Sequence, residues 1–227
     1  MVFPNLLDTE YAGERWATLT TVTYEQFLEW ADEDTLADWV DGKIEMSSPA
    51  TLRHQLVMGF LYQVVHTFVN VFDLGSVVLP SFQMKLSRSG REPDLVYLSK
   101  EHVSRFRTVF VDGAADLVLE ILSDEMAGRD REAKRAEYQQ AGVGEYWLVG
   151  HRPRGVATFL HLEQETYREM LRGRSGIFHS RALPGFWLDA GWLYAAPLPS
   201  VERTLYAIAG DAYTRYFADQ LKPERSG

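Results

Sequence analysis

Two apolar runs in the middle of the chain each carry one carboxylate, and their placement constrains the fold more than any other feature. Residues 95–98 directly follow Pro93-Asp94, and residues 116–122 contain Glu120. Short continuous apolar runs are typical of central strands that are buried on both faces. An ionised carboxylate in such a run is costly unless it is paired, hydrogen-bonded or bound to a metal. We therefore expect Asp94 and Glu120 to mark a polar site within a sheet.

Each acidic residue also has a simpler interpretation. Glu120 would reach water or an arginine if it lay at a strand end, and an aspartate after a proline is commonly a turn residue. Taken together, the two residues are more specific, because strands joined by one crossover can bring both carboxylates to the same place. Paired carboxylate oxygens with open coordination positions suit Mg²⁺ or Mn²⁺.

A helix predicted over residues 128–141 places a lysine after these strands. Asp130, Lys134 and Tyr138 follow one another at four-residue spacing and therefore share one helix face, with Tyr138 directed toward the protein. An ammonium group near two carboxylates could orient an attacking water or stabilise charge on a transferring phosphate. The alternative is an Asp130–Lys134 pair on a solvated surface, which contributes little to stability.

The remaining pattern predicts a mixed α/β fold. Thr23 and Gln26 form a capping-box pattern at the start of a short helix, and Asp41-Gly42 indicates a β-hairpin. A long helix over residues 51–72 should pack flat on the sheet and directs His54 inward, either as a core residue or as a ligand. Further strands are predicted over residues 77–86, 145–149, 156–162, 166–171 and 177–182, a polar turn over 87–92, and a C-terminal helix over 201–221.

Composition limits the classes of function. The net charge of −9 argues against a broad non-specific nucleic-acid surface, although it permits a local cleft. Arginines cluster at residues 88–91, 105–107 and 129–135, and the ordinary interpretation of each cluster is solvated surface. The absence of cysteine excludes disulfides and thiolate metal sites and fits a cytoplasmic location. No apolar run is long enough for a membrane helix, and no secretory signal, Walker loop, G-x-S-x-G elbow or zinc-type histidine spacing is present.

These residues occur in an order that resembles a known family. The segments that carry the resemblance are residues 41–47 (DGKIEMS), His54, residues 93–96 (PDLV), residues 115–123 (ADLVLEILS), Asp130 with Lys134 and Tyr138, residues 141–143 (AGV) and residues 145–149 (EYWLV). This set resembles the Uma-two family, a large bacterial group of proteins regarded as endonucleases within the PD-(D/E)XK, or restriction-endonuclease-like, superfamily.

The resemblance implies a central mixed β-sheet flanked by helices, with Mg²⁺ at the strand ends. It implies that Asp94 and Glu120 bind the metal and that Lys134 has taken the role of the superfamily lysine, whose usual place is held here by Leu122. Asp38 stands where the family usually has a glutamate, and His54 matches a family histidine; both are expected to support the site, with Asp130 and Tyr138. The expected organisation is a single domain over residues 1–227, comprising an endonuclease-like core over 20–170 and an antiparallel C-terminal extension over 171–227 with a final helix.

The leading hypothesis is a Mg²⁺- or Mn²⁺-dependent endonuclease that hydrolyses nucleic acid, with DNA as the expected substrate, by means of an activated water. One rival is a nucleic-acid-binding or regulatory module that kept the fold and lost turnover. Another is a nucleotide hydrolase, which the acidic charge would tolerate. Trp187 and Trp192, with the tyrosines that follow them, suggest either a homodimer surface or packing onto the chain's own core.

Overall fold

Four α-helices form the helical part of the described structure. The computed structural model describes residues 22–32, 35–46, 50–122, 128–151 and 154–222, with the backbone alone for 128–130. The helices are α1 (Tyr24–Trp30), α2 (Leu52–Val71), α3 (Gly128–Ala141) and α4 (Val201–Gln220), with 3₁₀ turns at Val103–Arg105 and Ala190–Tyr194. The predicted capping box of α1 is confirmed: Gln26 N–H donates to Thr23 Oγ1 at 3.2 Å, and Thr23 N–H donates to Gln26 Oε1 at 2.8 Å.

The strands form two sheets and one separate hairpin. In chain order they are β1 (Ala37–Val40), β2 (Lys43–Met46), β3 (Gly75–Val78), β4 (Gln83–Lys85), β5 (Ser89–Arg91), β6 (Leu95–Ser99), β7 (Phe110–Asp112), β8 (Leu117–Leu122), β9 (Glu145–Gly150), β10 (Ala157–Glu163), β11 (Thr166–Gly173), β12 (Ile177–His179) and β13 (Trp187–Asp189). The first sheet has the order β2-β1-β5-β4-β7, the second sheet has the order β11-β10-β9-β8-β6-β3, and β12 pairs with β13. Each large sheet is mixed, because β4 and β7 are parallel, as are β8 and β9, while the other pairs are antiparallel.

The second sheet is buried on both faces, and its strands therefore carry apolar residues without interruption. On one face, Leu119 and Trp147 pack with α2, α4 and the β12–β13 hairpin. On the other face, Val118 packs with Tyr138 of α3 and with Met84 of the first sheet. The helix α3 joins the parallel strands β8 and β9, as a crossover connection requires. Glu120 shares the face of Val118, so it points toward α3.

The mixed α/β class and the Asp-Gly hairpin are confirmed, but two predicted segments were wrong. The predicted strand over residues 77–86 is divided, because β3 ends at Val78 in the second sheet and β4 begins at Gln83 in the first. The predicted polar turn over residues 87–92 contains β5, whose polar residues are buried because they bind charged groups from other elements. Within the described ranges, no helix combines the length and the apolar character needed to cross a bilayer.

Candidate active site

Asp94 and Glu120 meet at one end of the second sheet. The antiparallel pairing of β6 with β8 sets Leu95 opposite Leu119, and the same register extended by one residue sets Asp94 opposite Glu120. Asp94 Oδ2 accepts a hydrogen bond from the backbone N–H of Ile121 at 2.6 Å. Because directly opposed residues of antiparallel strands share one face of the sheet, the two carboxylates lie side by side.

The helix α3 brings Lys134 and Tyr138 to the same carboxylate. Lys134 Nζ lies 3.4 Å from Glu120 Oε1, and the Tyr138 hydroxyl donates to that oxygen at 3.0 Å. Both side chains are buried, one helical turn apart. Of the residues predicted for this helix, Lys134 and Tyr138 are therefore at the site, whereas the side chain of Asp130 lies outside the described residues.

Burial and neighbouring charges set the ionisation states of Glu120 and Lys134. Burial raises the pKa of the Glu120 carboxyl, the Lys134 ammonium lowers it, and the Asp94 and Asp38 carboxylates raise it, with a net upward shift. Burial alone would lower the pKa of Lys134, but the carboxylates of Asp38 and Glu120 raise it above its ordinary value. Lys134 is therefore a protonated cation throughout the physiological pH range.

Asp38 binds Lys134 from the side of the first sheet. Its Oδ2 lies 3.2 Å from Lys134 Nζ and accepts a hydrogen bond from Arg91 Nη1 at 3.0 Å, and its Oδ1 accepts from the Glu92 N–H at 2.8 Å. Burial would raise the pKa of Asp38, but Lys134 and Arg91 lower it below the ordinary value. Asp38 is therefore a permanent anion that fixes the position of the lysine.

Arg91 is a part of the site that the sequence did not reveal. Its side chain is only 4% exposed, so the solvated-surface interpretation is wrong for Arg91, although it holds for Arg88 of the same cluster. Arg91 Nη2 and Nε donate to Glu137 Oε2 at 2.8 and 2.9 Å, and Nη1 donates to Glu45 at 3.3 Å. The sequence offered one signal that a buried cation should be sought. Glu137, the partner of Arg91, lies three residues after Lys134 and one before Tyr138, on the helix face that was predicted to point inward.

His54 lies at the edge of the site, on the first turn of α2. Its Nε2 is 3.1 Å from Asp94 Oδ1, and its ring meets the edge of the His151 ring at a centroid distance of 6.0 Å. The histidine therefore contacts the second oxygen of Asp94 and does not pack as an isolated core residue.

The donor atoms fit an open site for a hard divalent cation. Asp94 and Glu120 supply carboxylate oxygens from adjacent strands, and Glu120 Oε2 accepts no hydrogen bond from the described residues. Among these residues, no three histidine, aspartate or glutamate side chains are grouped as ligands of one metal ion. A closed protein cage is thus not formed by them, but Mg²⁺ commonly uses one or two carboxylates and keeps several waters. The pair is compatible with that requirement.

Comparison with known proteins places these residues in context. A family model named Uma2, with the description "Putative restriction endonuclease", matches residues 24–191, a range that contains all the residues of the candidate site. The fold is similar to the crystal structure of a "putative nuclease belonging to DUF820" from Anabaena variabilis ATCC 29413. The TM-score is 0.66 at 14% sequence identity, over 76% of this chain and 97% of that chain, a likeness that concerns the fold alone. No curated protein matches the sequence significantly.

Proposed function

The chain belongs to the Uma2 family of restriction-endonuclease-like proteins, and we propose that it hydrolyses phosphodiester bonds of nucleic acid, with DNA as the expected substrate. The observation that carries this proposal is the convergence of three groups from separate elements: Asp94 opposite Glu120, with Lys134 Nζ at 3.4 Å from the glutamate. Two acidic oxygens and a fixed cation are the groups that phosphoryl chemistry needs around the reacting phosphate.

The proposed cofactor is Mg²⁺ or Mn²⁺, which Asp94 and Glu120 would hold. When bound, it supplies positive charge to the phosphate and lowers the pKa of a coordinated water.

The chain's own residues would act by orientation and charge. Lys134 stays protonated, so its role is to donate hydrogen bonds and positive charge to the phosphate or to the attacking water, and not to accept a proton. The Ile121 N–H and His54 each bind one oxygen of Asp94, and Tyr138 binds Glu120, so both carboxylates are held before substrate arrives. Such preorganisation lowers the reorganisation cost of the reaction.

One observation favours a second candidate, a binding module without turnover. The Lys134 ammonium is already engaged by Asp38 at 3.2 Å and by Glu120 at 3.4 Å, so a substrate phosphate must compete for it. In an active enzyme, Asp94 and Glu120 would hold a divalent cation, whose charge would weaken the attraction of Glu120 for Lys134. The two candidates therefore differ in whether the chain cleaves nucleic acid in a reaction that requires Lys134.

Cleavage and metal binding can be tested with matched variants. We expect wild type to bind Mn²⁺ in calorimetry and to cleave plasmid, single-stranded DNA or RNA in its presence. Asp94→Asn should weaken Mn²⁺ binding about tenfold or more, and Lys134→Met should slow cleavage by about 100-fold, the usual effect of removing one group that stabilises transition-state charge. Lys100→Met is the control, because Lys100 is exposed and pairs with Asp73 away from the site.

Circular dichroism would establish that each variant is folded. Cleavage that is lost in Lys134→Met and kept in Lys100→Met would reject the binding module. Mn²⁺ binding that is unchanged by Asp94→Asn would contradict the nuclease mechanism, and turnover of free nucleotides without cleavage of polymers would favour a nucleotide hydrolase.

A further inference from the structure

A basic cleft lies beside the candidate active site, on the face of the second sheet that carries Glu120. The cleft has a volume of about 380 Å³ and opens between α3 and strands β9, β10 and β11. Its floor is apolar, with Leu148 and Leu160, and its walls carry the arginines Arg131, Arg135, Arg154 and Arg172.

The positive charge of this cleft contrasts with a chain of net charge −9. Two glutamates also line it, and each is near an arginine of its own element: Glu132 lies 3.9 Å from Arg135, and Glu169 lies 3.7 Å from Arg172. Among the described residues, Arg131 of this cleft forms no ion pair. The cleft therefore retains an excess of cationic groups.

Arginines elsewhere in the clusters seen in the sequence are used within the protein. Arg88 pairs with Asp41, Arg107 pairs with Asp112, and Arg105 donates to the Ala114 carbonyl. The arginines of the cleft differ from these in that all four line one concave surface.

An irregularity in β11 directs one of these arginines into the cleft. Leu160 is opposite Glu169, but Phe159 is opposite Leu171, so Met170 is an extra residue in the ladder. Leu160 and Thr158 both face the cleft. In a regular ladder, Thr158 would lie opposite Leu171, two residues after Glu169 on β11. The bulge instead sets Arg172 opposite Thr158 and moves Leu171 to the core face. Bulges commonly re-aim side chains near functional sites.

The cleft begins within one nucleotide of the proposed reaction centre. Leu122 lines it and follows Glu120 by two residues on the same face of β8, a separation of roughly 6.6 Å along the strand. On α3, Arg131 precedes Lys134 by three residues, a rise of about 4.5 Å. A strand whose scissile phosphate lies near Glu120 would therefore bring a neighbouring phosphate to the arginines.

We propose that this cleft binds a non-scissile phosphate of the substrate strand, next to the phosphate that is cleaved; this inference rests on the proposed function. The guanidinium group presents donors in a fork that matches phosphate oxygens, and the apolar floor offers a surface to the attached nucleoside. The same chemistry would admit a free nucleotide, so the test must separate the two sources.

Binding can be measured without cleavage by fluorescence anisotropy of a labelled single-stranded oligodeoxynucleotide in EDTA, over a range of salt concentrations. We expect the Arg131→Gln/Arg172→Gln double variant to bind at least tenfold more weakly than wild type. The magnitude of the slope of log K against log salt should fall by about 0.7, because the cleft contacts one phosphate and each phosphate contact on a single strand contributes about 0.7. Arg168→Gln/Arg203→Gln removes the same charge from exposed positions outside the cleft and should bind as wild type does.

Three results of the binding measurement would overturn the proposal: no binding by wild type, equal binding by the cleft variant, or efficient competition by thymidine monophosphate that depends on the same arginines. The last result would assign the cleft to free nucleotides. The binding measurement in EDTA separates this inference from the function it rests on, because it requires neither a divalent cation nor cleavage. Arginine-dependent binding without any cleavage by wild type would refute the nuclease and retain the cleft, whereas cleavage that the arginine variant leaves unchanged would refute the cleft alone.

Discussion

Glu92 precedes Pro93 and the candidate metal ligand Asp94, and the fold opposes its ionisation. Burial and then the nearby Asp38 carboxylate raise the pKa of Glu92 to about 7, although its Oε2 accepts a hydrogen bond from the Ala37 N–H at 3.1 Å. The unfolded value is about 4.3. Between these two pH values the folded state binds more protons than the unfolded state, so the stability contributed by this group falls as the pH rises.

Glu92→Gln should therefore stabilise the protein at alkaline pH more than at acidic pH. Glutamine stays neutral and keeps an oxygen for the Ala37 N–H, so it removes the ionisation and leaves the hydrogen bond possible. We expect the difference in Tm between the variant and wild type to be more positive at pH 8 than at pH 5, measured by thermal unfolding in EDTA. A difference that does not change with pH would show that Glu92 ionises in the folded state as it does in water.

Among single residues, the sequence predicted those whose charge conflicts with an apolar or inward-facing position. Glu120 within an apolar run and Lys134 on an inward helix face were both identified, and the structure places them 3.4 Å apart. Arg91 was not identified, because an arginine in a polar stretch is the ordinary pattern of a surface turn. Its burial depends on Asp38, Glu45 and Glu137, which come from three other elements, and no local pattern reports such a long-range arrangement.

At the scale of the secondary-structure elements, the packing of α1 on the first sheet depends on a glycine at the centre of β5. Gly90 of β5 faces the buried ring of Tyr24 on α1, and a Cβ atom there would lie 2.2 Å from Tyr24 Cε2 and 2.7 Å from Gln83 Oε1. Tyr24 itself packs against Trp39 and Phe110, so its ring has no room to move aside. The glycine lets α1 cover the sheet that carries Asp38 and Arg91.

Gly90→Ala should destabilise the protein by about 1–3 kcal/mol, the usual cost of overpacking. Gly59→Ala is the matched substitution, because Gly59 lies within α2 and a Cβ there meets no atom within 4 Å. We expect it to stabilise the protein by about 0.5–1 kcal/mol through helix propensity. Urea unfolding of both variants measures these free energies. Equal effects of the two substitutions would contradict the close packing of α1 on β5.

Long periodic elements could be predicted and short polar ones could not. The strands β6, β8 and β9 are buried over almost their whole length, and α2 buries one apolar face between Val57 and Val69, so all four have strong hydrophobic patterns. The strand β5 has three residues whose backbone pairing is set by β1 and β4, so its sequence alone resembles a turn. The division between β3 and β4 depends on which sheet each strand joins, and the continuous apolar run over residues 77–79 does not contain that information.

One carboxylate connects the C-terminal part of the molecule to the second sheet. Glu145, at the start of β9 and 1% exposed, accepts hydrogen bonds from the backbone N–H groups of Arg181 and Ala182 at 2.8 and 3.0 Å and from the Ser180 hydroxyl at 2.8 Å. This segment leads to β13, and Phe178, Leu183 and Phe186 near it pack into the same core cluster as Trp147. These contacts predict that residues beyond 170 unfold together with the rest of the domain.

Glu145→Gln tests this prediction for the whole molecule. Arg181 and Ala182 both donate to Oε2 of Glu145, whereas the Ser180 hydroxyl and the Trp147 indole N–H donate to Oε1. Glutamine has one carbonyl oxygen where the carboxylate has two, so either the two backbone N–H groups or the buried Trp147 N–H loses its acceptor, at a cost of about 1–3 kcal/mol. We expect the urea midpoint to fall by the same amount whether unfolding is followed by tryptophan fluorescence or by far-UV circular dichroism, because one cooperative transition includes both regions. Glu163→Gln, which removes a partly exposed charge near Arg181, should cost less than about 1 kcal/mol. A fluorescence transition that separates from the circular dichroism transition in Glu145→Gln would show that the C-terminal segment unfolds independently, in which case Glu145 connects two cooperative units instead of stabilising one.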